Sequence, residues 1–197
     1  MIDLSRQFIF IHIPKCAGCS IINALPEKTT SSNVINCGHC SLDEVLRLNP
    51  KFKHFFKFTF VRNPWSRVVS SYCFWKNQSN NCDFNFSQWD EKQINFCQNH
   101  SFEEFVLNLD SEELNKPHVQ PYFQKYIKDQ NFNYIGKVES IQKDFDYICD
   151  AINIKRLKLK HKNKSTDKNY QTYYTSKTKD IVYKKFLHDI KYFDYEF

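Results

Sequence analysis

Two apolar runs in the chain each end at cationic and small polar residues, and each is followed by a helical pattern. The first, residues 8–20, reads FIFIHIPKCAGCS, and the second, residues 58–72, reads FTFVRNPWSRVVSSY. Continuous apolar runs of this kind predict buried strands, while Val68, Tyr72 and Trp75 recur at helical spacing. A strand that delivers a cation and backbone N–H groups to the start of a helix can bind an anion. Two such sites predict a ligand that carries phosphate groups at two separate places.

The rest of the chain alternates between strand and helix patterns. Capping boxes, a Ser followed three residues later by a Glu, mark helix starts at Ser41 and Ser101. We interpret the polar, Asn- and Gln-rich residues 77–100 as an insertion or a long excursion of the chain, not as a domain boundary. The alternation predicts one α/β domain over residues 1–197, with a central, mostly parallel sheet flanked by helices. The predicted strands are residues 7–13, 34–37, 55–61 and 134–138. Two predicted helices begin at residues 20 and 64, and four more span residues 41–48, 102–109, 141–152 and 175–187.

Composition narrows the class of protein. The 197 residues are 41% hydrophobic and 17% aromatic, which is enough to bury a core for one domain. No apolar run approaches the roughly 18 residues of a membrane span, and the first residues lack the features of a signal peptide. We therefore expect a soluble, cytoplasmic protein with no transmembrane segment. The net charge of +6 favours anionic ligands but does not require nucleic acid, and we expect no nucleic-acid partner.

Four of the eight cysteines form two C-x-x-C pairs, Cys16 with Cys19 and Cys37 with Cys40, separated by 17 residues. This spacing is typical of a zinc ribbon, and Cys37-Gly38-His39-Cys40 also has the form of a thiol–disulfide exchange motif. Because a closed tetrahedral site would block the predicted anion loop, we expect no metal. A zinc-stabilised or thiol-redox protein remains an alternative. The other four cysteines are expected to be buried thiols.

The first anion loop is not a Walker loop. Its lysine, Lys15, precedes the tight turn, whereas the Walker pattern G-x-x-x-x-G-K-[ST] places the lysine after it. Ala17 and Gly18 are small and let an anion approach the backbone, and Ser20 offers a hydroxyl. Lys15 would stabilise the charge that develops on a leaving oxygen. The alternative is an ordinary strand–turn–helix with a surface lysine.

The second stretch offers Arg62 at the end of its strand and Ser70 two helical turns later. Both side chains could reach one phosphate, the guanidinium by a bidentate contact and the hydroxyl by a single hydrogen bond. The alternative is that Arg62 forms a structural ion pair and Ser70 lies on a helix surface.

These segments resemble the carbohydrate sulfotransferases, the group that includes heparan sulfate 2-O-sulfotransferase and the chondroitin and dermatan 4-O-sulfotransferases. HIPKCAGCS is similar to the family's 5'-phosphosulfate loop, H-I-P-K-T-G-G-T-S, and FTFVRNPWSRVVSSY to its 3'-phosphate motif, F-V-R-N-P-x-x-R-x-x-S-x-Y. Shorter segments follow in the family's order almost to the end of the chain: SFEEFV, HVQP, GKVESIQKDF, NKS and DIKYFDYEF.

The resemblance implies a P-loop-type sulfotransferase fold. It also implies transfer of a sulfuryl group, without a metal, from 3'-phosphoadenosine-5'-phosphosulfate (PAPS) to a carbohydrate hydroxyl, with release of adenosine 3',5'-bisphosphate (PAP). Cys16 and Cys19 stand where threonines are usual, and Ala17 where a glycine is common. Because a thiol is a weaker hydrogen-bond donor than a hydroxyl, we expect weaker donor binding. The implied nucleotide-binding residues are Lys15, Cys16, Ala17, Gly18, Cys19 and Ser20 at the 5' end, Arg62 and Ser70 at the 3'-phosphate, and Asn163, Ser165 and Thr166 in a segment that closes over the nucleotide.

The acceptor hydroxyl must lose a proton as it attacks sulfur, and an imidazole suits this step at neutral pH. Of the seven histidines, we predict His39 as the general base, because family members that modify sugars often carry a histidine there. His118 is predicted to bind the acceptor or assist the base. The basic residues 155–168 form either a solvated basic face or a surface for an anionic glycan and nucleotide. A catalytically silent nucleotide- or glycan-binding module is the second hypothesis.

Overall fold

The computed structural model describes residues 1–25, 32–78, 88–159 and 169–197. The strands are β1 (Ile2–Asp3), β2 (Phe8–Ile11), β3 (Val34–Ile35), β4 (Phe56–Val61) and β5 (Tyr134–Lys137). The helices are α1 (Gly18–Ala24), α2 (Leu42–Leu48), α3 (Pro64–Lys76), α4 (Gln88–Asn99), α5 (Phe102–Leu107), α6 (Ile141–Ala151), α7 (Ser176–Lys185) and α8 (Leu187–Phe193). Short 3-10 turns lie at Pro50–His54, Val138–Ser140 and Tyr170–Tyr173, and a π-turn at Phe123–Ile127.

The chain divides into two compact units. The first is Met1–Arg62 with Tyr122–Lys162, and the second is Asn63–Pro121 with Asn163–Phe197. The single-domain organisation over residues 1–197 stays a prediction.

The first unit contains one sheet, in the strand order β3-β1-β2-β4-β5. Strand β4 pairs in parallel with β2 on one side and with β5 on the other, whereas β1 pairs antiparallel with both β2 and β3. Four of the five strands therefore run in the same direction. This confirms the predicted α/β class, with a mostly parallel sheet flanked by helices.

The two central strands, β2 and β4, are buried on both faces, which explains why their sequences are mostly apolar. Every residue of β2 is at most 1% exposed. The ring centroids of Phe10 and Phe58, on neighbouring strands, lie 5.1 Å apart. Thr59 is the small polar residue of β4, and its Oγ1 donates to the carbonyl oxygen of Ile11 at 2.8 Å. The hydroxyl is thereby satisfied inside the sheet and ties the end of β2 to β4.

In the second unit, helix α3 begins with a well-formed cap. The Oδ1 atom of Asn63 accepts from the backbone N–H groups of Trp65 and Ser66, at 3.1 and 3.4 Å, and Pro64 occupies the first helical position. Trp65 is 2% exposed and Trp75 is fully buried. Both tryptophans therefore pack in the core and are unavailable for stacking on a sugar ring.

Helix α3 also holds the segment at residues 117–120, which precedes Pro121. The fully buried guanidinium of Arg67 donates to the carbonyl oxygens of Gln120 and Pro117, both at 2.8 Å. One helical turn later, Ser71 Oγ donates to the carbonyl oxygen of His118 at 2.8 Å. The backbone around His118 is therefore fixed by two side chains of one helix face.

Several element boundaries differ from the sequence prediction. Helix α1 begins at Gly18 instead of Ser20, because the N–H groups of Ser20 and Ile21 already bond to the carbonyl of Ala17. The predicted strand at 34–37 ends at Ile35, the helix predicted at 102–109 ends at Leu107, and the one predicted at 175–187 ends at Lys185 and is followed by α8. The supposed insertion at 77–100 contains α4, and β1 was not predicted.

Both predicted capping boxes are confirmed. Ser41 Oγ accepts from the N–H of Glu44, and the Glu44 carboxylate accepts from the N–H of Ser41; Ser101 and Glu104 do the same at the start of α5. None of the helices in the described parts of the chain has the length and apolar character of a membrane-spanning segment.

Candidate active site

The loop after strand β2 has an unusual backbone. Lys15 and Ala17 have φ angles of 66° and 62°, in the left-handed region that residues other than glycine rarely adopt. Loops in which left-handed residues alternate with right-handed ones turn successive N–H groups towards one side and bind anions there. The half-buried Lys15 adds a cation to this loop. The loop therefore offers both of the features that the sequence predicts for a phosphate site.

Gly18 is where this loop touches the His12 side chain. A Cβ atom on Gly18 would lie 2.0 Å from Cδ2 of His12, so only a glycine fits there without movement of the ring. Burial, followed by the neighbouring His39 ring, lowers the pKa of His12 to about 3. The His12 imidazole is therefore neutral near pH 7 and acts as a fixed wall of the loop.

Arg62 follows strand β4 directly and reaches the same loop. Its Nη1 atom donates to the carbonyl oxygen of Lys15 at 3.4 Å, and the carbonyl oxygen of Arg62 accepts from Tyr122 Oη at 3.1 Å. Loops that follow neighbouring parallel strands lie at the same edge of a sheet, where α/β proteins bind their ligands. The predicted cations of the two anion motifs, Lys15 and Arg62, thus belong to adjoining backbone segments.

His39 is fixed by hydrogen bonds at both its ring and its backbone. Its Nδ1 lies 2.9 Å from the carbonyl oxygen of His12, and its own carbonyl accepts from Tyr126 Oη at 3.0 Å. Because a carbonyl oxygen only accepts, Nδ1 must carry the proton, and in the neutral ring Nε2 keeps its lone pair. The ring centroids of His39 and His12 are 4.6 Å apart. His39 therefore presents the tautomer required of a base that acts through Nε2.

The remaining predicted residues fall into two groups. Ser70, on α3, and His118 belong to the second unit, so their cooperation with Arg62 and His39 of the first unit stays a prediction. The His118 ring lies parallel to Phe74, with centroids 6.2 Å apart, and edge-on to Trp75 at 5.2 Å. Asn163, Ser165 and Thr166 lie outside the described residues, as do all of residues 160–168 of the basic run.

The four N-terminal cysteines differ in their environments. Cys16 is 1% exposed, Cys19 is exposed, and Cys37 and Cys40 are half-buried. Within the described residues no group of three or more His, Cys, Asp or Glu side chains is arranged to hold a metal ion.

Of the other four cysteines, Cys97 and Cys149 are buried as predicted, and burial raises the pKa of the Cys97 thiol to about 12. Cys73 is half-buried, so the prediction of a buried thiol was wrong there: its Sγ contacts Tyr173 Oη at 3.5 Å near the surface of the unit. Cys82 lies outside the described residues.

Sequence reasoning missed two tyrosines that anchor the site. Tyr122 and Tyr126 are buried and bond to the carbonyl oxygens of Arg62 and His39. The two tyrosines are four residues apart in PYFQKYI, a helical spacing that places their side chains on the same side of the segment. Which carbonyls they would meet depends on contacts 60 and 87 residues away along the chain, and no local pattern encodes such contacts.

One of three comparisons with known proteins returned a match. A comparison with curated proteins and one with solved structures returned no match. The family model described as the sulfotransferase family matches residues 1–196, which is nearly the whole chain and is consistent with the resemblance to carbohydrate sulfotransferases. This chain therefore belongs to the sulfotransferase family, whose members transfer sulfuryl groups.

Proposed function

We propose that this protein is a PAPS-dependent carbohydrate sulfotransferase whose general base is His39, and that residues 1–197 form a single domain with the P-loop-type sulfotransferase fold. The observation that carries the proposal is the hydrogen bond from His39 Nδ1 to the His12 carbonyl. It leaves Nε2 as a base next to the loop that contains Lys15, within one unit of the protein. The family match supplies the reaction class, since sulfotransferases generally take their sulfuryl group from PAPS.

The loop residues suit a phosphosulfate group. The left-handed residues Lys15 and Ala17 give the loop a backbone of the kind that binds anions, and α1 has no side-chain cap at its start. The space that a Cβ of Gly18 would fill is taken by the His12 ring, which fixes the backbone where the anion would approach. We propose that Lys15, Cys16, Ala17, Gly18, Cys19 and Ser20 hold the 5' end of the nucleotide, that Arg62 and Ser70 hold its 3'-phosphate, and that Asn163, Ser165 and Thr166 cover it.

Each group has a defined task in the proposed reaction. PAPS, when bound, supplies the sulfuryl group. Nε2 of His39 takes the proton from the acceptor hydroxyl as its oxygen attacks. The ammonium group of Lys15 stabilises the negative charge that develops on the leaving phosphate oxygen. Arg62, which also bonds to the carbonyl of Lys15, adds a second positive charge, so the proposal requires no metal ion.

The carbohydrate class of the acceptor is supported by the resemblance of the two nucleotide motifs to the sulfotransferases that modify sugars. Within the described residues of the basic run, Lys155 and Lys158 are exposed, and the exposed Arg156 forms a two-fold contact with the Asp150 carboxylate at 2.9 and 2.6 Å. The two lysines give an anionic glycan a place to bind. His118, held by α3, is the proposed acceptor contact in the second unit.

Calorimetry and a transfer assay test the proposal together. PAP binding to the whole protein is measured first, and transfer of a radiolabelled sulfuryl group from PAPS to a panel of glycans second. We expect His39→Ala and Lys15→Ala to lower turnover by at least about 100-fold, and Arg62→Ala mainly to weaken PAP binding. Lys128→Ala is the matched control, because this lysine of the same unit is exposed.

Three results would count against the assignment. Turnover of Lys15→Ala or His39→Ala at the level of the Lys128→Ala control removes the role given to that residue. Folded protein that does not bind PAP excludes the nucleotide. PAP binding without transfer to any glycan favours the silent binding module instead.

A further inference from the structure

The two cysteines that flank His39 lie at the ends of one tight turn. The N–H of Cys40 donates to the carbonyl of Cys37 at 3.1 Å, a bond that closes a β-turn and keeps its end Cα atoms within about 7 Å. Gly38 provides the left-handed position, with a φ of 54°, and its N–H donates to Asn36 Oδ1 at 3.0 Å. Disulfides join residues whose Cα atoms are roughly 4.4–6.8 Å apart. The backbone of this turn therefore brings Cys37 and Cys40 into the range of a disulfide.

Both thiols are free and half-buried, so small oxidants can reach them. Burial raises the pKa of the Cys37 thiol, and the N-terminal amino group, which hydrogen-bonds to this thiol, lowers it. The Sγ of Cys37 also lies 3.8 Å from the carbonyl oxygen of Ile35. The Cys37 side chain must leave both partners to bond to Cys40.

A disulfide across this turn would disturb His39. Closure fixes the Cβ–Cβ distance at roughly 3.5–4.5 Å and the dihedral angle near 90°, and the backbone change that accompanies it falls on Gly38 and His39, the two residues between the cysteines. The His39 ring is held on the carbonyl of His12, and its backbone carbonyl on Tyr126 Oη. Both partners belong to segments outside the turn and do not rotate with it. The hydrogen bond from His39 Nδ1 to the His12 carbonyl, which sets the tautomer, is therefore the contact that closure of the disulfide strains most.

We propose that Cys37 and Cys40 form a reversible disulfide that displaces His39, so that the protein transfers sulfuryl groups only while both thiols are reduced. This regulation rests on the proposed function, because it acts on the same base. With a low-molecular-weight disulfide such as oxidised glutathione, the Cys40 thiolate attacks one sulfur and releases one glutathione thiol. Cys37 then attacks the mixed disulfide, forms the internal bond and releases the second. The two cysteine protons end on the two glutathione thiols, and the two electrons have passed to glutathione.

The first experiment measures the disulfide itself. Whole reduced protein is incubated with mixtures of reduced and oxidised glutathione, and its free thiols are then blocked with an alkylating agent. The mass of the peptide that contains both cysteines is measured. We expect a species lighter by two hydrogens that carries no blocking group, and its return to two blocked thiols after a dithiol is added. In Cys37→Ser and Cys40→Ser this species cannot form. A pair that stays fully alkylated in oxidised glutathione overturns the proposal whatever the activity.

The second experiment links the disulfide to His39. The imidazole nitrogens are followed by NMR, and label transfer from PAPS is followed in the same samples. In the reduced protein we expect the NMR signals of a His39 ring that is protonated at Nδ1. Oxidation should change these signals and lower transfer by about 100-fold, the typical contribution of a general base. Oxidation that leaves the His39 signals unchanged overturns the proposal even if no acceptor has been found. The proposed function is tested separately by PAP binding, which does not depend on this result.

Two variants separate this pair from the other thiols. Cys19 is exposed in the phosphate loop and can itself react with glutathione, and the double variant Cys37→Ser/Cys40→Ser retains it while removing both thiols beside His39. We expect this double variant to transfer normally and to resist oxidation. Loss of transfer in the oxidised double variant would assign the effect to Cys19 and overturn the proposal. Cys73→Ser, which changes a half-buried thiol of the second unit, should remain as sensitive to oxidation as the unaltered protein.

Discussion

Gly18 joins the backbone of the phosphate loop to the His12 side chain, and it gives the sharpest prediction at the residue scale. In Gly18→Ala the new Cβ would lie 2.0 Å from His12 Cδ2, so the ring or the loop must move. We expect the free energy of unfolding to fall by about 1–3 kcal/mol and PAP affinity to fall by about tenfold or more. Urea unfolding and calorimetry measure the two effects.

Gly38→Asn is the matched control for this substitution. A Cβ at Gly38 meets no heavy atom within 4 Å, and its φ of 54° is one that asparagine tolerates. If Gly38→Asn and Gly18→Ala lower PAP affinity equally, close approach at Gly18 is not what shapes the loop.

His12 predicts a pH dependence of stability. Its pKa in the folded protein, about 3, lies below the ordinary value of 6.5, so between these values the unfolded chain binds a proton that the folded protein does not. Stability is therefore complete above pH 6.5 and falls as the pH drops towards 3, by at most about 1.4 kcal/mol per pH unit. His12→Phe should remove this component, while His54→Phe, at an exposed histidine, should retain it. Urea unfolding at several pH values compares the three proteins, and equal slopes in all three would contradict the assignment.

The residues of the candidate site were predictable to different degrees. Lys15, Gly18 and Arg62 follow from residue types at the ends of apolar runs. The tautomer of His39 was not predictable, because it depends on a carbonyl 27 residues away along the chain. Contacts of this length are made by the sheet, which brings together loops that are distant in sequence.

At the scale of the element, helix α3 depends on one buried cation. Arg67 is fully buried and donates to the carbonyl oxygens of Pro117 and Gln120. Arg67→Met removes both donors and leaves two carbonyl groups unsatisfied, which should lower the free energy of unfolding by about 3–5 kcal/mol. Arg47→Met, at an exposed position of α2, should change it by less than about 0.5 kcal/mol. Urea unfolding of both variants tests this, and a similar small change in each would mean that the clamp on residues 117–120 carries little energy.

Elements with strong local signals were predicted, and elements without them were not. Strand β2 is apolar throughout and β4 is mostly apolar because both of their faces are buried, and α2 and α5 begin at capping boxes. Strand β1 has two residues, too few for any periodicity, and it exists because β2 and β3 pair with it on either side. Helix α4 lies in a polar segment whose helical spacing is obscured by Asn and Gln.

At the scale of the whole molecule, the residues predicted to bind the nucleotide are divided between the two units. Lys15 and Arg62 belong to the first unit and Ser70 to the second, and their joint role stays a prediction. The role of Ser70 can therefore be tested separately from that of Lys15 and Arg62. A ligand that binds only the folded protein stabilises it by about 2.7 kcal/mol at a hundredfold excess over its Kd, and amide exchange reports where that protection falls.

We expect PAP to slow amide exchange both in the loop that contains Lys15 and in the first turns of α3. Adenosine, which lacks both phosphates, should protect neither region at the same concentration. Ser70→Ala should lose protection on α3 while keeping it in the loop of the first unit, because Lys15 and Arg62 would still bind phosphate. Protection confined to the first unit in the unaltered protein would show that Ser70 does not contact the 3'-phosphate, and the second anion motif would then be a structural one.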